Sequence, residues 1–179
     1  MPRILLASIA ATPLLVAAPT LAATVHTTLQ LATPEGPGAE VGSVMIMDSP
    51  QGARIMLDLH GLPPGQRGFH GFHVHENGSC ATSKGPDGKL VPAGAAGAHF
   101  DPAGTGRHMG PEGQGHLGDL PRVEVAANGT ARENLTAPRI KDVSALKGKA
   151  LMLHVGGDNY TDTPPLGGGG ARLACGVLE

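Results

Sequence analysis

Apolar and polar positions alternate along short stretches of this chain, and glycine and proline separate the stretches. Val25 to Leu31, Glu40 to Met47 and Ala53 to Leu59 read as three strands, because a period of two sends successive side chains to opposite faces of a pleated ribbon. Gly36-Pro37-Gly38 marks the expected turn between the first two, and Ser49-Pro50-Gln51-Gly52 the turn into the third. Val41, Val44 and Ile46 line one face only with a bulge or register break near Gly42. Phe69 to Glu76, Val123 to Ala127, Leu151 to Val155 and Arg172 to Leu178 read as further strands, with a short one near Thr136 to Ile140. No long helical periodicity occurs, and Ala145-Leu146-Lys147 has room for one turn. Seven or eight short strands predict an antiparallel sandwich or small barrel.

Two segments break the pattern. Residues 78–118 are rich in Gly, Pro and His, and residues 156–170 in Gly, Asp and Pro. Loops of this length are expected to be functional or metal-bound, and their glycines are costly to order. The first residues also stand apart. Arg3 precedes an almost wholly apolar run from Ile4 to Ala18, and Thr20-Leu21-Ala22 fits a small-residue cleavage site. Residues 1–22 therefore read as a secretory signal peptide and residues 23–179 as one domain. The run is short for a membrane span, and no second one follows, so the mature form is expected to have no stable membrane span.

Charge and composition narrow the partners. With Arg3 set aside, the 13 basic side chains become 12, against 15 acidic ones. The bases are scattered, and Tyr160 and three Phe are the only aromatic residues of these types. No nucleic-acid surface is expected from such a set. Cys80 and Cys175 are the only cysteines. An oxidising compartment permits a bridge between them, worth roughly 4 to 5 kcal/mol in the chain-entropy model; the alternatives are free thiols or metal-bound thiolates.

The candidate chemistry lies in three clusters: His73 and His75; His99, His108, His116 and Asp119; and His154. Six imidazoles and one carboxylate exceed the needs of one first-row ion and suit two ions sharing a ligand. His73 and His75 share a strand face, with Phe72 and Val74 on the other, and His154 shares a face with Met152. Three or four imidazoles suit copper, with zinc also possible. Three histidines and an aspartate in a flexible loop fit closed, tetrahedral zinc. His99 is the natural shared ligand, since imidazole has two nitrogens.

Asp158, four residues after His154, is placed to accept hydrogen bonds from ligating rings, or else is a solvated loop carboxylate. Arg172 precedes Cys175, so a disulfide would hold it beside the loop that starts at Cys80. A guanidinium there would orient a small anion; the alternative is a solvated arginine. Glu76, Glu112 and Asp162 are candidates to shape the local field. His26 and His60 are expected at the surface, and His70 is expected to hold the adjoining loop by hydrogen bonding rather than to ligate metal.

Five segments in order carry a resemblance: Gly71-Phe72-His73-Val74-His75-Glu76-Asn77-Gly78-Ser79-Cys80, His99-Phe100-Asp101-Pro102, His116-Leu117-Gly118-Asp119-Leu120-Pro121, Gly156-Gly157-Asp158-Asn159-Tyr160, and Gly167-Gly168-Gly169-Gly170-Ala171-Arg172-Leu173-Ala174-Cys175-Gly176. The chain resembles the exported bacterial copper/zinc superoxide dismutases over nearly all of its mature length. The resemblance implies an eight-stranded antiparallel Greek-key β-barrel, an immunoglobulin-like sandwich with long metal-binding and electrostatic loops. It implies a periplasmic enzyme, monomer or homodimer, that converts two superoxide anions and protons to dioxygen and hydrogen peroxide by alternating copper reduction and oxidation. The implied copper ligands are His73, His75, His99 and His154, and the implied zinc ligands His99, His108, His116 and Asp119. Asp158 would link His73 to His108, Cys80 and Cys175 would form the disulfide, and His99 and Arg172 would act in catalysis, the arginine guiding the anion and the histidine carrying a proton. The chain departs from the bacterial pattern at Ala98, where glycine usually precedes the bridging histidine, so the loop geometry there is open.

Overall fold

The computed structural model describes residues 22–179; the expected signal segment lies, but for its last residue, outside them. Strict alternation governs the first strands. In β1 (Thr24–Thr33), Val25, Thr27 and Leu29 are buried while Thr24, His26 and Thr28 are exposed. β2 (Gly36–Ser49) and β3 (Gly52–Leu59) bury Val44, Ile46, Ile55 and Leu57 in the same way. The chain continues through β4 (Gly68–His70), β5 (Phe72–His75), β6 (Ser83–Lys84), β7 (Leu90–Val91), β8 (Val123–Val125), β9 (Ala131–Ala137), β10 (Ala150–His154) and β11 (Arg172–Val177).

Seven strands form one antiparallel sheet in the order β5-β10-β11-β1-β2-β3-β9. A small sheet, β4-β8, joins its two edges through the chain. β8 leads into β9 through a tight turn closed by Ala126 N–H donating to Thr130 O at 2.8 Å, and β4 runs through Gly71 into β5. The large sheet makes a half-barrel around a core that includes Leu29, Ile46, Ile55, Leu59, Phe72 and Leu151, each fully shielded from solvent.

The all-β, antiparallel expectation holds, with local corrections. The described residues contain eleven strand segments rather than seven or eight. One reason is that Phe69 to Glu76 is not a single strand: it divides at Gly71, and its halves pair with different neighbours, β4 with β8 and β5 with β10. Another is the β6-β7 hairpin inside the long loop. The segment near Thr136 to Ile140 lies in the wrong place; the strand is Ala131–Ala137, whose mostly polar outward residues hide its pairing with β3. The first turn is Pro34-Glu35, and Gly36-Pro37-Gly38 belongs to β2. The register break near Gly42 is present, because Leu29 faces Gly42 while Gln30 faces Glu40, leaving Val41 as the extra residue. A 3-10 turn at Val143–Leu146 takes the place of the expected helical turn.

Candidate metal centre

Strand register brings the first ligand set together. β5 lies against β10, with Met152 opposite His73 and Ala150 opposite His75. All four residues of β5 are buried: Phe72 and Val74 enter the core, and the two histidines project from the opposite face. The long loop then folds back along β5. His73 bridges to Asp119 and His75 to His99 as isolated antiparallel pairs, held by Val74 N–H donating to Gly118 O at 2.9 Å and Phe100 N–H donating to Val74 O at 2.8 Å. The ladder of the sheet, extended by two backbone bridges, thus aligns loop donors with strand donors.

Two four-residue donor sets result: His73, His75, His99 and His154, and His99, His108, His116 and Asp119, all buried, with the donor atoms of each set within 4.8 Å of one another. His99 belongs to both. Its Nδ1 lies 2.9 Å from Asp119 Oδ1, the oxygen that also lies 3.1 Å from His108 Nδ1 and 3.3 Å from His116 Nδ1. Its Nε2 faces away from that carboxylate. In the first set, His75 Nε2 and His154 Nε2 are 3.4 Å apart.

The outer nitrogens are spoken for. His73 Nε2 donates to Asp158 Oδ2 and His108 Nε2 donates to Asp158 Oδ1, both at 2.8 Å. His75 Nδ1 donates to Gly97 O at 2.9 Å and His154 Nδ1 to Gly170 O at 3.2 Å. These bonds fix ring orientation and turn the other nitrogen inward. The inward atoms His73 Nδ1, His99 Nε2 and His108 Nδ1 are buried with no hydrogen-bond partner among the described residues; His108 Nδ1 is near Asp119, but not aligned for a bond. Each such atom costs about 1 to 3 kcal/mol unless something satisfies it, and a cation does. The residues therefore fit metal ions at both sets.

Electrostatics separates the two sets. Burial lowers the pKa of His73 and His154, that of His75 to about 3 and that of His99 to about 4. These rings are neutral donors across the physiological range. Burial opposes the charged forms of Asp119 and Asp158 too, but the close imidazoles outweigh it and hold both carboxyls below their ordinary value: His108 and His99 beside Asp119, and the hydrogen bonds from His108 and His73 to Asp158. Between these two carboxylates, His108 is raised to about 9 despite the opposing effect of its own burial.

Arg172, half-buried, donates from Nη1 to Ala93 O at 2.6 Å and from Nη2 to Gly97 O at 2.5 Å. Gly97 O thus takes bonds from both Arg172 and His75. Gly97 carries the left-handed φ of 76°; Ala98 does not need it, and its amide donates to Glu76 Oε1 at 3.1 Å while its carbonyl accepts from Glu76 N–H. The substitution of alanine for the usual glycine therefore leaves the backbone next to His99 in ordinary geometry. His70 is buried outside both sets and donates from Nδ1 to His154 O at 2.8 Å; His26 and His60 are exposed. Cys80 and Cys175 form a disulfide with Cα atoms 5.7 Å apart, and no free cysteine remains.

Several supporting residues were given no specific contact by the sequence, Asp162 being named there only as a candidate to shape the local field. Asp162 Oδ1 accepts from His108 N–H at 2.7 Å, so this carboxylate orders the loop. Tyr160 N–H donates to Asp158 Oδ1 at 2.7 Å, and Arg122, over the Phe69 ring at 4.1 Å, donates to Asp158 O. Gly167 has φ of 69°, and a Cβ there would collide with Asp158 and with His108 Nε2, so the second loop can close over the carboxylate only with glycine at this place.

A family model described as copper/zinc superoxide dismutase matches residues 41–178. The superoxide dismutase [Cu-Zn] of Brucella abortus is 52% identical over 172 residues, covering 96% of this chain and 97% of its own. The chain belongs to the copper/zinc superoxide dismutase family. Solved members agree in shape: the Cu/Zn enzyme from Brucella abortus superposes with a TM-score of 0.84 at 51% identity, covering 88% of this chain and all of its own. The monomeric copper, zinc enzyme from Salmonella enterica, solved in solution, gives 0.75 at 51% identity with the same coverage. Family membership settles the activity. The protein is an enzyme whose substrate is superoxide, whose products are dioxygen and hydrogen peroxide, and whose cofactors are copper and zinc. No helix among the described residues is long and apolar enough to cross a membrane.

Proposed function

We propose a division of labour among these residues. His73, His75, His99 and His154 would hold copper. His99, His108, His116 and Asp119 would hold zinc. The observation that carries this assignment is the ring of His99, which presents one nitrogen to each donor set and leaves its buried Nε2 unpartnered among the described residues. Softness supports it as well: an all-imidazole set suits copper, and a closed set with one carboxylate suits structural zinc. Bound copper supplies the one-electron couple that oxidises one superoxide and reduces the next, while zinc, with no accessible redox couple, supplies fixed charge and order.

The protein side chains do the rest. Arg172 is held by two loop carbonyls one hydrogen bond from His75, and its charge attracts and orients the anion. When its Nε2 is not engaged with copper, His99 would carry a proton there, with solvent as the source, while its Nδ1 stays beside Asp119 and the loop histidines. Asp158 holds His73 and His108 in one hydrogen-bonded unit, so the two sets keep a common geometry.

Residues 1–22 act as a signal peptide, residues 23–179 form the mature domain, and the enzyme works in the periplasm as a monomer or homodimer. Support comes from the charged and apolar opening segment and from the disulfide, which suits an oxidising compartment. The test is metal analysis with superoxide-decay kinetics on the purified mature protein: one copper and one zinc per chain with copper-dependent turnover are expected. Full loading with decay no faster than free copper would overturn the assignment. N-terminal sequencing of the exported protein and sedimentation velocity check the remaining points.

A further inference from the structure

On the outer face of the sheet, remote from every ligand described above, one row differs from its neighbours. His26 faces Met45 across β1 and β2, and Met45 faces Met56 across β2 and β3. Parity places all three outward: His26 is exposed, Met45 is 39% exposed and Met56 is half-buried. One flanking row is wholly polar, with Thr28, Ser43, Asp58 and Arg132; the other, Thr24, Met47, Arg54 and Thr136, has a single thioether between a threonine and an arginine and no imidazole, so only the central row sets two thioethers and a histidine side by side. The three side chains line a common groove together with Asp58 and Asn134, the latter facing Met56 across β3 and β9. Arg132 is paired with Asp58 at 2.7 Å.

We propose that His26, Met45 and Met56 form a binding site for a soft monovalent cation, Cu(I) or its analogue Ag(I). Two thioethers and an imidazole are uncharged, polarisable donors that favour Cu(I) over zinc or the hard divalent ions. The spacing allows convergence. Adjacent strands lie about 4.8 Å apart, so an ion above Met45 is within reach of ligands leaning in from either side. Methionine has three rotatable bonds with which to adapt. Nothing in this site depends on how the buried donor sets divide copper and zinc.

The test uses the enzyme already loaded with copper and zinc, carrying 13C-labelled methionine methyls, titrated with silver nitrate in chloride-free buffer. Cu(I) affinity is measured in parallel under anaerobic conditions by competition with a colorimetric chelator. One additional equivalent is expected, moving the Met45 and Met56 methyl signals and leaving Met47 in place. M45L and M56L, which conserve volume, each weaken binding by about tenfold or more, and the double variant abolishes it, as does H26A with either. M47L binds like the parent, and superoxide turnover is unchanged in all of the leucine variants. An absent extra equivalent overturns the proposal. So does one that survives in M45L/M56L, or one lost equally in M47L.

Discussion

The two donor sets sit side by side and share a ring, yet the fold builds them by different means. His73, His75 and His154 stand on β5 and β10, paired strands whose other faces enter the core. Their positions follow from register. His108 and His116 stand on a glycine-rich loop, held by polar contacts: Asp162 on the His108 amide, and Asp119, whose other oxygen accepts from Met109 N–H at 3.1 Å. Strand-borne donors are placed by the same packing that stabilises the protein, whereas loop-borne donors depend on carboxylates and on whatever they ligate. The electrostatics divide likewise, with neutral rings of lowered pKa in the strand set and a charged Asp–His network in the loop set. The strand set should therefore keep its shape without metal, and the loop set should lose order.

The sharpest way to break this comparison is to remove what the sets share. His99→Ala should lower turnover by more than about 100-fold, the upper end of what is lost when an outer partner of a ligand is removed, and should lower the affinity for both metals. Loss of copper alone, with zinc affinity intact, would mean that the ring is not common to both. Asp158→Ala leaves every ligand in place, and it should weaken both metals by about 10- to 100-fold together; paired isothermal titrations with each metal check this, and an effect on one metal only would show that the two sets are not mechanically linked.

Arg172→Ala should lower kcat/KM by about tenfold at low salt while metal content is unchanged, and the deficit should shrink as ionic strength rises. Superoxide-decay kinetics across a salt series provide the measurement; a deficit independent of salt would count against a guiding charge.

The smallest effect concerns the metal-free protein and sharpens the electrostatic side of the comparison. His75 and His99 titrate near 3 and 4 when folded, below their ordinary 6.5. The unfolded chain therefore binds more protons in that interval, and their contribution is complete above pH 6.5 and lost as the pH falls toward 4. His108 behaves oppositely. Raised to about 9, it stabilises fully below 6.5, and its contribution disappears as the pH rises through 9. Thermal melts of the metal-free protein should fall on the acid side, while hydrogen exchange at the Met109 amide should quicken on the alkaline side. An alkaline change spread evenly over β5 and β10 would contradict the separation.

Much of the candidate site was legible because its spacing is local. His73 and His75 share a face by parity alone, and the loop histidines with Asp119 fall within one segment too rich in glycine and proline to be a strand. Less of the support was legible. The contacts of Arg122, Tyr160 and Asp162 follow no sequence pattern, although Asp162 stood among the field-shaping candidates and Tyr160 within a family motif: they reach Asp158 and His108 across 36, 2 and 54 residues, and two of these separations are far beyond any local period. The strand at Ala131–Ala137 is not legible in the sequence because its alternation is weak and its place is set by pairing with β3. The break at Gly71 is hidden for the same reason: only the change of partner from β8 to β10 divides that run.

The sequence by itself determined the strand periodicity, the chemical type of each donor and the family to which those ordered motifs point, because each of these is written in residue identity and short spacing. Tertiary structure alone decided that Arg122 and Tyr160 contact Asp158, that Gly97 O receives both Arg172 and His75, and that His26, Met45 and Met56 fall in one row. Each of those depends on the register between strands or the closure of a loop, and a shift of one residue in pairing sends every side chain of a strand to its other face.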